Sequence, residues 1–94
     1  MTTSNYFNLA DSKFLSISGE DRGNFLQDLI TNDIHKCDSK NSIYSCLLSP
    51  QGKFIADFFI IDHEKSYLIE THKKFVKDLI NKLKIYKLRA KVEV

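Results

Sequence analysis

The sequence has little of several residue types on which common functional motifs depend: no tryptophan, one proline, three glycines and two cysteines among 94 residues. So few glycines exclude the glycine-rich phosphate loops of nucleotide-binding proteins. The cysteines, Cys37 and Cys46, are too few for a disulfide framework and lack the spacing of a zinc or redox motif, so we expect two free thiols. The three histidines lie far apart in the sequence without metal-ligand spacing, so we expect no metal site.

Long apolar runs are also missing. No run approaches the ~20 residues that a membrane-spanning helix needs. Residues 1–6 lack the basic start and the apolar core of a secretory signal peptide. We therefore expect no membrane partner and a cytoplasmic location. The length suffices for one hydrophobic core, and we interpret residues 1–94 as a single domain in which residues 1–9 are a loose lead-in.

The net charge of +2 hides an uneven distribution of charged residues. Residues 73–94 hold eight bases and two acids, and such a basic segment can bind an anionic partner. The bases are almost all lysine, however, and no aromatic residues interleave with them as they do in platforms for single-stranded nucleic acid. We favour a solvated helix face and do not expect nucleic-acid binding.

Apolar periodicity and turn signals predict the element order β-α-β-β-β-α-β. The predicted strands cover residues 14–18, 43–48, 53–61, 66–71 and 88–94. Ser18 or Gly19 is the predicted cap of the first helix, and Thr71 or His72 that of the second. This order predicts an α+β fold, a ferredoxin-like plait in which two helices lie on one face of a mainly antiparallel sheet.

The third predicted strand is the most apolar stretch, and it follows a turn over residues 49–52. Both of its faces are apolar, which indicates a central strand covered on both sides. Two helices cover only one face of the sheet, so the other face needs a partner, a further domain or a ligand.

One carboxylate, Asp57, interrupts this apolar strand between Ile55 and Phe59. Burial of a lone carboxylate is costly unless it is paired or hydrogen-bonded. Asp57 is therefore the candidate functional residue. The alternative is a structural role, in which it accepts hydrogen bonds from the backbone or from a tyrosine or lysine side chain.

Three stretches have the order and spacing of motifs found in one family. Residues 19–34 (GEDRGNFLQDLITNDI) resemble the opening G-x-D-x-x-x-F-L-Q-x-x-x-T-x-D-V of YgfZ-type folate-binding proteins. Residues 47–57 (LLSPQGKFIAD) resemble their hairpin L-L-x-P-x-G-[KR]-x-x-x-D, and residues 83–94 (LKIYKLRAKVEV) their segment L-x-K-Y-x-L-R-x-K-V-x-I. These proteins are relatives of the T-protein (aminomethyltransferase) of the glycine cleavage system.

The resemblance implies tetrahydrofolate as cofactor, held in a hole between domains, and a role in iron–sulfur cluster assembly or repair with iron–sulfur proteins as clients. It places Asp57 where the T-protein has an aspartate that contacts folate. Arg89 is a weaker candidate, which could bind an anion such as the folate glutamate tail.

The family's downstream signature, K-G-C-[YF]-x-G-Q-E, is absent from this sequence. We therefore interpret the chain as an N-terminal fragment that needs a complementary C-terminal half, and we do not expect it to be an aminomethyltransferase by itself. The alternative function is a non-catalytic interaction module that forms a homodimer through the uncovered face of the sheet.

Overall fold

Residues 11–87 and 91–94 are described by the structure, which is a computed structural model. Within them the elements are, in order, β1 (Ser12–Ser18), α1 (Arg22–Leu29), a turn of 3₁₀ helix (Ile34–Lys36), β2 (Ile43–Leu48), β3 (Phe54–His63), β4 (Ser66–His72) and α2 (Lys73–Lys87). The predicted α+β class is confirmed. The predicted lead-in over residues 1–9 lies outside the described residues.

The strands form an antiparallel sheet in the order β1-β4-β3-β2. β3 pairs with β2 on one side and with β4 on the other, which confirms its predicted central position. In the β2–β3 turn, the N–H of Gly52 donates to the carbonyl of Ser49 at 2.8 Å. Gly52 has a φ of +84°, a left-handed conformation that glycine adopts without strain, so the glycine predicted for this turn has a backbone reason.

The hydrophobic core lies between the helices and one face of the sheet, as predicted. Alternate strand residues point to this face and are buried: Leu15, Ile17, Ile43, Leu47, Ala56, Phe58, Ile60 and Ile69. The helices add Phe25 and Leu26 from α1, and Leu79 and Leu83 from α2. The last two are four residues apart and therefore lie on the same side of α2. Burial of each large apolar side chain contributes ~1.5–3 kcal/mol to folding.

The predicted last strand is reduced to a single bridge in the part of it that the structure describes, residues 91–94. Ser18 and Glu93 exchange two backbone hydrogen bonds, of 2.9 Å and 2.8 Å, in an antiparallel bridge at the end of β1. Val92 is nevertheless buried in the core. We call residues 91–94 the docked segment below. The rest of the predicted strand, residues 88–90, lies outside the described residues.

The first helix begins later than predicted. The residue at its N-cap position is Asp21, and neither Ser18 nor Gly19, the two predicted caps, occupies that position. Gly19 instead has a φ of +111° in a turn beside the backbone of Lys91. The Asp21 carboxylate accepts the Lys91 N–H at 2.8 Å and makes no cap hydrogen bond. The prediction was wrong because the docked segment, remote in sequence, determines the conformation of this turn.

Candidate functional site

The candidate site lies on the face of the sheet opposite the helices, which we call the open face. Strand register places Cys46 beside Asp57, and Tyr44 beside Phe59, on neighbouring strands of this face. Three large apolar side chains on this face keep much of their surface in solvent: Phe14 at 57%, Tyr44 at 43% and Leu48 at 40% exposed. This face is therefore less well covered than the core face, as the sequence predicted.

Asp57 is buried in the middle of this face, with 3% of its surface exposed. Its Oδ2 accepts a hydrogen bond from the hydroxyl of Tyr44 at 2.7 Å. Its other oxygen, Oδ1, is buried and has no hydrogen-bond partner among residues 11–87 and 91–94. Burial raises the pKa of the Asp57 carboxyl, and the opposing effects of its own backbone N–H, Lys74 and His72 are smaller. Burial of the Asp57 carboxyl therefore costs free energy, and its Oδ1 can still accept a hydrogen bond.

Tyr44 connects Asp57 to the thiol of Cys46. The Cys46 Sγ lies 3.9 Å from the Tyr44 hydroxyl, which accepts from the thiol while it donates to Asp57. Burial, together with Cys46, raises the pKa of Tyr44, so the hydroxyl keeps its proton. The ring of Tyr44 packs against Phe59 with centroids 5.3 Å apart. Tyr44 therefore fixes the position of one Asp57 oxygen and leaves the other free.

Sequence reasoning named a tyrosine donor for Asp57 only as a general alternative and did not identify Tyr44. The available signal was the spacing of Tyr44 and Cys46, since residues two apart on a strand share a face. Which of them lies opposite Asp57 depends on the register of β2 against β3, and a β-bulge between Leu47 and Leu48 shifts that register. The sequence alone therefore does not determine which of the two residues contacts Asp57.

The part of β2 that carries the site is attached to the segment after α1 by a small polar cluster. Ser45, which is buried, accepts the backbone N–H groups of Thr31 at 3.0 Å and Asn32 at 3.1 Å. The Thr31 hydroxyl accepts the N–H of Cys46 at 3.0 Å, and the Asn32 side chain donates to the carbonyl of Tyr44 at 3.0 Å. The threonine of the first family motif thus supports the strand on which Tyr44 lies.

Of the other residues that the sequence singled out, Cys37 lies outside this site, Cys46 belongs to it, and His72 is close enough to act on the Asp57 charge. Cys37 is a free thiol, as predicted, and donates to the carbonyl of Ile60 inside the core at 3.3 Å. Cys46 is also free. His72 accepts the N–H of Lys74 on its ring Nδ1 at 3.1 Å, which confirms its predicted position at the start of α2. Arg89 lies outside the described residues.

Neither a metal site nor a membrane-spanning helix is found in residues 11–87 and 91–94. These residues contain no cluster of three or more histidine, cysteine, aspartate or glutamate side chains with a geometry suited to a metal ion. Within the same ranges, neither helix has the length and apolar character needed to cross a bilayer.

The fold is shared with an aminomethyltransferase of known structure. The chain superposes on the glycine cleavage system aminomethyltransferase T from Bartonella henselae with a TM-score of 0.81 over 90% of its own length and 24% of that chain. The two sequences are 15% identical, so this match establishes the fold and nothing finer. The sheet, the two helices and their order thus define an aminomethyltransferase-like α+β domain.

Curated relatives make the relation more specific. The chain is 33% identical over 90 residues to the iron–sulfur cluster assembly factor IBA57 homolog, mitochondrial, of Neurospora crassa, and 32% identical over 108 residues to that of Aspergillus fumigatus. These matches cover 88% and 97% of this chain but 20% and 24% of the relatives. No family model matches the chain. The resemblance to YgfZ-type proteins of the aminomethyltransferase superfamily is confirmed, and the chain spans about a fifth to a quarter of these relatives' length.

These relatives overturn the expected cytoplasmic location, because each of them is named as a mitochondrial protein. The expectation depended on the lack of a secretory signal peptide in residues 1–6. That feature separates secreted proteins from others and does not distinguish the cytoplasm from an organelle.

Proposed function

We propose that this chain is a segment of an iron–sulfur cluster assembly protein and that it binds tetrahydrofolate on the open face through Asp57. The observation that carries the folate part is the buried Oδ1 of Asp57, which has no partner in the part of the chain that the structure describes. A buried carboxylate oxygen without a partner costs ~1–3 kcal/mol. A ligand that donates a hydrogen bond to it recovers that cost and gains affinity.

The residues present fit a reduced folate. The pyrimidine ring of the reduced pterin is planar and carries an amino group and a ring N–H along one edge, and these are donors that could bond to Asp57 Oδ1. Tyr44 is 43% exposed beside this carboxyl, and its ring offers a surface for stacking. When bound, tetrahydrofolate supplies a carrier for one-carbon units.

The chain's own residues would orient the ligand and exchange a proton with it. Tyr44 holds Oδ2 of Asp57 at 2.7 Å, so only Oδ1 is available to the ligand. Since burial raises the pKa of Asp57, its carboxyl is a better proton acceptor than an exposed aspartate. Asp57 is therefore suited to bind a pterin N–H and to accept its proton.

The role in iron–sulfur cluster assembly is supported by the names of the relatives and belongs to the longer protein. We propose iron–sulfur proteins as its clients. Because the chain spans a fifth to a quarter of those relatives, we also propose that a complementary C-terminal part contributes to the ligand cavity.

Titration of the purified chain with tetrahydrofolate under reducing conditions tests the folate part, with tyrosine fluorescence and thermal shift as readouts. Asp57→Asn is expected to weaken binding at least ~10-fold, because one ligand hydrogen bond to a charged group is worth ~1.5–3 kcal/mol. Asp28→Asn, on the exposed side of α1, is the matched control and should bind like the wild type. Equal affinity of all three proteins, or no saturation at millimolar ligand, would contradict the proposal for this chain.

Complementation tests the assembly part separately. Cells that lack the gene should lose activity of iron–sulfur enzymes, and the wild-type gene should restore it. Restoration by Asp57→Asn as well would leave the assembly role standing and remove Asp57 from it.

A second candidate is an interaction module that forms a homodimer through the open face, which the exposed Phe14, Tyr44 and Leu48 favour. Sedimentation at increasing protein concentration tests it, with Leu48→Glu as the variant. A mass that stays monomeric at all concentrations contradicts this candidate.

A further inference from the structure

Cys46, Tyr44 and Asp57 form a chain of hydrogen bonds on the open face. The Cys46 thiol donates to the Tyr44 hydroxyl at 3.9 Å, and that hydroxyl donates to Oδ2 of Asp57 at 2.7 Å. A proton that leaves the sulfur can therefore move to the Tyr44 oxygen while the Tyr44 proton moves to Asp57. A nucleophile that is hydrogen-bonded toward a base in this way is activated for covalent chemistry.

The second oxygen of Asp57 lies beside the same thiol. Cys46 and Asp57 are direct partners in the register of β2 and β3, and the Cβ atoms of such partners lie ~4.5–5.5 Å apart on one face of the sheet. Asp57 is 3% exposed, and its Oδ1 has no hydrogen-bond partner among the described residues. A reagent held at the sulfur can donate an O–H to this oxygen. The pair therefore fits a small electrophile that carries an O–H group on the atom that the sulfur attacks.

The other thiol of the chain has neither feature. Cys37 is 6% exposed in the hydrophobic core and donates to the backbone carbonyl of Ile60 at 3.3 Å, and a carbonyl does not act as a base. Burial raises the pKa of the Cys37 thiol, which makes it less reactive. Cys46 is half-buried on the opposite face of the sheet. The sheet separates the two thiols, so we expect no disulfide between them.

We propose that Cys46 is a site of oxidation by hydrogen peroxide, at which the thiol becomes a sulfenic acid with Tyr44 and Asp57 as its proton relay. The sulfur attacks one peroxide oxygen, so that an S–O bond forms and the O–O bond breaks. The thiol proton passes to the Tyr44 oxygen while the Tyr44 proton moves to Oδ2 of Asp57. Return of a proton through Tyr44 converts the leaving hydroxide to water. One thiol and one peroxide thus give one sulfenic acid and one water.

The product fits the site as well as the reagent does. The attacked oxygen keeps its hydrogen, and the O–H of the sulfenic acid is a donor for Oδ1 of Asp57. Since Cys37 lies across the sheet, no thiol of the described chain is placed to convert this sulfenic acid to a disulfide. We therefore expect the sulfenic acid of Cys46 to persist long enough to be trapped. The proposal does not depend on folate binding.

The effect of removing the Asp57 charge separates this relay from simple electrostatics. A carboxylate beside a cysteine disfavours the thiolate and so slows its oxidation, and the positive charges of Lys74 and His72, which act on Asp57, oppose this effect. If Asp57 acted through its charge alone, Asp57→Asn would speed the oxidation of Cys46. If Asp57 takes up the thiol proton through Tyr44, the same substitution slows it.

Trapping of the sulfenic acid tests the proposal. The purified, reduced chain is treated with hydrogen peroxide in the presence of dimedone, which reacts with sulfenic acids, and mass spectrometry of its peptides gives the labelling rate of each cysteine. Cys46 is expected to be labelled and Cys37 is not. Asp57→Asn and Tyr44→Phe should each slow the labelling of Cys46 at least ~10-fold, because a positioned acid or base typically contributes ~10²–10⁴-fold.

Tyr86→Phe is the matched control. It also removes a phenol hydroxyl, but Tyr86 lies on α2 and packs against the core, on the other side of the sheet from Cys46. Its labelling rate should equal that of the wild type. Circular dichroism establishes which variants are folded, and Asp57→Asn decides the test if Tyr44→Phe is not.

Four results would overturn the proposal. They are no labelling of Cys46 at millimolar peroxide, equal labelling of both cysteines in the folded chain, faster labelling of Cys46 in Asp57→Asn, and a rate that Asp57→Asn leaves unchanged. Faster labelling would show that Asp57 protects the thiol through its charge.

Discussion

Gly19 offers the sharpest test of how the docked segment holds to the body of the domain. Substitution by alanine meets two obstacles. A φ of +111° is a conformation that residues with a side chain rarely adopt. A Cβ at this position would also overlap the carbonyl oxygen of Lys91 and lie 2.9 Å from the Cα of Val92. Because these contacts are backbone atoms, no side-chain rotation relieves them, and the docked segment must move away.

The expected cost follows from what the docked segment loses. Val92 is 5% exposed, and its burial contributes ~1.5–3 kcal/mol. Movement of the segment also breaks the two Ser18–Glu93 hydrogen bonds and the bond from the Asp21 N–H to Lys91. Each such bond contributes ~0.5–1.5 kcal/mol net. We expect Gly19→Ala to lower the free energy of unfolding by about 3–7 kcal/mol, a large share of the ~5–15 kcal/mol typical of a domain.

Urea denaturation measures this loss, and amide hydrogen exchange at Ser18 and Glu93 locates it. Two glycines serve as controls. Gly52 has a φ of +84°, so Gly52→Ala meets the same backbone strain, but an added Cβ would have no atom within 4 Å. This substitution should lower the free energy of unfolding by ~1–2 kcal/mol. Gly23 lies in α1, where an added Cβ would come no closer than 3.9 Å to another atom. Gly23→Ala should therefore raise the free energy of unfolding by ~0.5–1 kcal/mol. If Gly19→Ala costs no more than Gly52→Ala, the docked segment contributes nothing to stability and the reasoning is refuted.

Three other substitutions test single contacts, each by urea denaturation. Tyr44→Phe removes the hydrogen-bond donor to Asp57 and should lower the free energy of unfolding by ~1–3 kcal/mol at about pH 7. The pKa of Asp57 is already raised and rises further without this donor, so the loss of stability should shrink toward pH 4 as the carboxyl becomes protonated. A loss that does not depend on pH contradicts the assignment. Ser45→Ala leaves the N–H groups of Thr31 and Asn32 without their acceptor and should lower the free energy of unfolding by ~2–4 kcal/mol. If water replaces the hydroxyl instead, stability will not change measurably, and the prediction is wrong. Leu83→Ala creates a core cavity and should cost ~2–5 kcal/mol, whereas a cost below ~1 kcal/mol would place α2 off the sheet.

Local sequence signals predicted the central hairpin well. The Ser-Pro-Gln-Gly turn has an intrinsic backbone preference, and the run of apolar residues after it identified β3 as the central strand. Asp57 was identified because it interrupts that run. These features depend on residues close together in the chain, so the sequence contains the needed information.

The features that the sequence did not reveal depend on contacts between distant residues. The Tyr44–Asp57 hydrogen bond follows from strand register, and Ser45 acquires its role only because the segment after α1 passes over β2. The conformation of Gly19 follows from the docked segment. Periodicity and propensity describe one element at a time, and therefore cannot supply these contacts.

The family motifs separate into residues that the fold explains and one that it does not. Gly19 and Asp21 hold the docked segment, Thr31 supports β2, and Gly52 closes the central turn. Each of these residues stabilises the domain itself. Asp57 differs, because its Oδ1 is buried without a partner among the described residues and its raised pKa means that its charge lowers stability at neutral pH. A residue that the fold alone would disfavour is best explained by a ligand, so Asp57→Asn should be as stable as the wild type or more stable, while it binds tetrahydrofolate less well.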